Sequence, residues 1–99
     1  MAVLTEEIFR EEKPFFRSIY LTINESGDIK IDCQDMGEVV QKVWGDSDYE
    51  FWVDVPSSET RKLLFALLRE KFIAKDKAVD DFKDFCLKNK IAHKWESWV

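Results

Sequence analysis

The sequence predicts an α+β domain: an antiparallel sheet of about four strands with two helices from the C-terminal half packed on one face. Three observations point there. Two runs of apolar–polar alternation flank a turn-rich pentad at residues 24–28. A third alternating run, Tyr49 to Val55, is stopped by Pro56. After it, leucine and phenylalanine recur at helical rather than strand spacing.

Taken in order, residues 1–14 read as an N-terminal arm or a short helix, with Thr5 as its cap, Ile8 and Phe9 on its apolar side, and Pro14 as its end. Residues 15–99 read as a single α+β domain. Ile19, Leu21 and Ile23 alternate with Ser18, Tyr20 and Thr22, and Ile29, Ile31 and Cys33 with Lys30 and Asp32. Between them Asn24-Glu25-Ser26-Gly27-Asp28 supplies side chains that accept local backbone bonds and a glycine that tolerates positive φ, so the two runs form a β-hairpin. Gly37 to Trp44 reads either as a short helix or as an irregular crossover, because three valines lower its helix propensity.

Ser57 or Ser58 offers a cap to the first long helix, which carries Leu64, Leu67, Leu68 and Phe72. A second helix is predicted from Asp76 to about Asn89, with Ala78, Val79, Phe82, Phe85 and Cys86 inward and Asn89 as a left-handed cap. His93 to Val99 alternates in the manner of a closing strand. The predicted order is β-β-(α)-β-α-α-β.

Ninety-nine residues suit one domain, and a 45 % apolar share is enough to build a core. The apolar run Leu63–Leu68 is far too short to span a bilayer, and Glu6 and Glu7 interrupt what would be a secretion signal, so the expected location is cytoplasmic, away from membranes. Cys33 and Cys86 both fall at apolar positions and are expected to be buried thiols. The net charge of −5 is unevenly spread. Residues 25–54 hold nine acids against Lys30 and Lys42 alone. That field repels a phosphate backbone and draws a basic partner, which argues against nucleic acid.

The most individual segment is Trp44 to Trp52. On a strand, Trp52 shares a face with Glu50 and Asp54, opposite Tyr49, Phe51 and Val53. An indole ringed by carboxylates offers rigid contact area plus steering charge. Trp44, Asp46, Asp48, Glu50, Trp52 and Asp54 are therefore the candidate partner-binding residues. Alternatively a helix covers this face, or Trp52 lies across lysines of a neighbouring strand. A calcium loop starting at Asp46 fails, since Phe51 and Ser57 stand where glycine and glutamate are required. One histidine, two separated cysteines and three isolated glycines provide no zinc site, nucleophile pair or phosphate loop. The chain reads as a non-enzyme without cofactor or metal.

From Ile19 to the C-terminus the chain resembles a scattered set of small bacterial proteins. The shared features are Asp35-Met36-Gly37, Trp44-Gly45-Asp46, Asp48-Tyr49-Glu50-Phe51-Trp52, a leucine-rich helix and an aromatic terminal strand. In size, acidity and aromatic content it is similar to immunity proteins, which bacteria use to neutralise toxins. That resemblance implies a binding protein that blocks a basic toxin domain. Two other readings stay open: a small-ligand module or minor enzyme with a pocket between sheet and helices walled by Trp44, Trp95 and Trp98, and a homodimer joined through Trp52 or an exposed edge strand.

Overall fold

The computed structural model describes residues 2–37 and 48–98. They form strands β1 (Leu4–Glu11), β2 (Phe16–Ile23), β3 (Ile29–Met36) and β4 (Asp48–Val55), a 3-10 turn at Ser57–Glu59, and helices α1 (Thr60–Phe72) and α2 (Ala78–Lys88). The strands make one antiparallel sheet in the order β1-β2-β3-β4, and the helices follow them, so the protein is α+β. No helix among the described residues is long and apolar enough to cross a membrane. The chain divides into two compact units, residues 1–61 and 62–99. The sequence places its boundary at residue 14 instead, ahead of a single domain.

The pairing register sorts the sheet into two chemically distinct faces, because directly opposed residues share a side. Ile19, Cys33 and Phe51 form one apolar row, Leu21, Ile31 and Val53 a second, and Ile23, Ile29 and Val55 a third. β1 extends the outer rows with Phe9 beside Ile19 and Leu4 beside Ile23. Apolar cross-strand pairs of this kind contribute ~0.2–1 kcal/mol each.

Residues 1–14 are not an arm or a short helix: their centre is β1. The alternation that would have revealed it is broken by a bulge, since the register shifts between Glu7, opposite Tyr20, and Phe9, opposite Ile19. The extra residue, Ile8, makes two apolar side chains adjacent, which in sequence mimics a helical stripe. A cis Lys13–Pro14 bond lies in the connection to β2.

The β2–β3 turn is organised by Asn24. Its Oδ1 accepts the amides of Ser26 and Asp28 at 3.0 and 2.9 Å, and its carbonyl accepts Gly27 N–H at 3.0 Å. Gly27 has φ +85°, a conformation that a Cβ would strain. Asp28 then reaches β4's exit, accepting the Ser57 amide at 2.8 Å. Ser57 therefore opens the turn before α1 with its own donor held by a carboxylate.

In the second unit α1 and α2 form a helical hairpin, with the Phe72 and Phe82 rings 5.6 Å apart. α2 ends in a Schellman motif: Ile91 N–H bonds to Cys86 O at 2.9 Å and Lys90 N–H to Leu87 O at 3.2 Å. The left-handed residue is Lys90, at φ 57°, and not Asn89, whose φ is −100°. Asn89 instead donates its side-chain amide to Phe85 O. Residues 91–98 have no regular structure, so among the described residues of the expected closing strand, His93 to Trp98, no strand forms. Alternation permits a strand, but only pairing makes one, and these residues enter no ladder. The possible helix at Gly37–Trp44 lies, past Gly37, outside the described residues.

Candidate functional site

Four of the six residues singled out in sequence are placed by β4: Asp48, Glu50, Trp52 and Asp54 project from one face of the strand. Trp44 and Asp46 lie outside the described residues. β4 alternates because each of its residues pairs in unbroken register with β3, so even positions turn away from Phe51 and Val53. Trp52 is 55 % exposed. Lys30 Nζ stands 5.9 Å from the centre of its ring, within cation–π range, and sits directly across from Asp54. The indole is thus both exposed and partly covered by a lysine of the neighbouring strand.

The register adds residues that linear reading leaves out. Asp32 lies opposite Trp52, Tyr20 opposite Asp32, and Glu7 opposite Tyr20. The polar face therefore carries a row across all four strands in which acid and aromatic side chains alternate. Tyr20 is 40 % exposed. Its outward position is visible in the β2 alternation, but its nearness to Trp52 needs the pairing of three strands. At the β1 end, the Ser18 hydroxyl donates to Glu7 Oε2, and Arg10 Nη1 donates to the same oxygen at 3.0 Å. Those bonds hold the Glu7 carboxyl below the usual carboxylate range, the serine contributing most.

Not every acid of the middle segment belongs to this surface. Asp35 lies on the opposite face, only 6 % exposed, and takes both arms of Arg17 at 2.6 and 2.7 Å. The guanidinium beside it pushes the Asp35 carboxyl down, and the same bonds raise Arg17. Cys33 Sγ donates weakly to Asp35 Oδ1 at 3.4 Å, and burial pushes its pKa up. Cys33 is therefore a thiol at neutral pH and a poor nucleophile. Both cysteines are free and buried.

His93 Nδ1 donates to Ile91 O at 2.8 Å in an exposed segment. Trp95 and Trp98, proposed walls of a pocket, are 60 % and 99 % exposed. Among the described residues no three His, Cys, Asp or Glu side chains gather as a metal ion requires, and no buried side-chain polar atom lacks a hydrogen-bond partner. Within the helical hairpin, Phe65, Leu68, Phe72, Val79 and Phe82 line an open apolar groove of about 500 Å³. No family model, curated protein or solved structure matches this chain.

Proposed function

We propose that this protein is a non-enzymatic cytoplasmic binding protein. It holds a basic protein partner on the polar face of β3 and β4, as an immunity protein holds the toxin it neutralises. The observation that carries this reading is Trp52, more than half exposed and set among Asp32, Glu50 and Asp54. Carboxylates around the ring attract lysine and arginine from a distance and speed encounter. Burying the indole at the centre of the contact then supplies affinity, since aromatic anchors dominate such interfaces. Lys30 Nζ, 5.9 Å from the ring centre, already holds a cation–π position there, so an incoming basic side chain displaces it or docks beside it. Tyr20 extends the aromatic surface across Asp32.

Pull-down from the native host, comparing wild type with a Trp52→Ala, Glu50→Lys double variant, tests the proposal. A protein of net positive charge is expected with wild type and not with the variant, while circular dichroism shows the variant still folded. Identical partner lists from two folded proteins would sink the reading.

A further inference from the structure

We infer that β4 is a strand-addition edge, and that the partner enters as an extended segment alternating basic and apolar residues, forming a fifth strand. The inference rests on the proposed function and specifies how the partner is held. β4 ends the sheet order, and among the described residues no strand pairs with its outer side. An edge of this kind presents a row of backbone donors and acceptors that template another chain.

The two edges of the sheet are built differently. β1 carries the bulge at Ile8, which disrupts a ladder. β4 runs all eight residues in uninterrupted register with β3, without proline or bulge. Residues 50–54 are exposed on both faces of the strand. One edge is blunted, and the other is left regular.

Charge decides which chain can use it. In antiparallel addition the directly opposed residues share a face, so a second copy of β4 that matched Phe51 and Val53 with apolar residues would also set Glu50 and Asp54 among their own carboxylates. Like charges directly opposed destabilise a strand pair. Self-pairing is therefore disfavoured, and the same arrangement favours an incoming strand with lysine or arginine beside Glu50, Trp52 and Asp54 and apolar side chains beside Phe51 and Val53. Backbone bonds would provide the affinity common to all such strands, and the alternating side chains would provide the selection.

The test uses the full chain, isotope-labelled for amide hydrogen exchange, with an acetylated eight-residue peptide alternating lysine and valine. Alternate β4 amides between Glu50 and Val55 are expected to exchange at least about tenfold more slowly with peptide bound, while the amides of α1 and α2 keep their rates. Two further peptides carry N-methyl groups on alternate amides, one on the lysines and the other on the valines. One of them should lose binding and the other keep it, because only one edge of the incoming strand faces β4. A glutamate–valine peptide should not bind wild type but should bind a Glu50→Lys, Asp54→Lys variant.

Failure of the lysine–valine peptide to bind would overturn strand addition. So would binding that leaves β4 exchange unchanged, or that tolerates both methylated peptides, since charge alone would then hold the peptide. The broader reading is decided separately. A Trp52-dependent partner whose binding leaves β4 exchange unchanged would remove strand addition and leave the binding protein standing. Peptide protection of β4 beside a pull-down indifferent to Trp52 would do the reverse.

Discussion

Asp35 stands in an acidic stretch of sequence, yet in the fold it is, among the described residues of that stretch, the one carboxylate turned to the apolar face of the sheet and closed in a two-pronged pair with Arg17. Arg17 remains 38 % exposed, so water can replace part of the pair when it breaks. Asp35→Ala is therefore expected to lower the unfolding free energy by about 1–3 kcal/mol, read from urea denaturation. The pH dependence follows from the direction of the shift. The folded carboxyl titrates below its ordinary value of 3.8, so its stabilisation is complete above that value and is lost as pH falls through the lower, folded one. Wild type should lose urea resistance on acidification from about pH 5 to about pH 2, and Asp35→Ala should lose less over the same range. An equal loss in both proteins would show that the pair is not the acid-sensitive element. The Arg17 partnership could not be read from sequence, because nothing in the seventeen intervening residues marks which acid faces which base.

The helix ends carry a correctable cost. Ala74 after α1 and Lys90 after α2 both sit at positive φ, 59° and 57°, where a Cβ crowds the backbone. Ala74→Gly and Lys90→Gly should each raise stability by about 0.5–1 kcal/mol in thermal melts, since glycine adopts this conformation freely. Ala66→Gly, in the interior of α1, should lower it by about 1 kcal/mol. If all three variants lose stability alike, the left-handed caps are not the strained positions. At this scale the β2–β3 hairpin, β4 and both helices were legible because their side chains repeat at the period of the element. β1 was not, since its bulge erases the repeat, and the segment after residue 91 misled because alternation without a partner strand resembles alternation with one.

Across the whole molecule, the charge of −5 matters through its placement. Asp32, Asp48, Glu50 and Asp54 collect on one face of the sheet by register. Association with a basic partner should slow about tenfold or more as the Debye length shrinks from ~30 Å at about 0.01 M salt to ~8 Å at about 0.15 M, with dissociation changing much less. Stopped-flow measurement of both rates checks this, and a salt-independent association rate would point to a different surface. Side-chain periodicity is local chemistry, so the residues alone were enough to establish an α+β chain with a hairpin, a β4 strand carrying Trp52 between Glu50 and Asp54, and two late helices. Pairing across the sheet is not local. Only the folded register could set Asp32 of β3 and Tyr20 of β2 beside Trp52 of β4, bring Lys30 of β3 over its ring and pair Asp35 with Arg17, because each of those partners comes from another strand than the residue it meets.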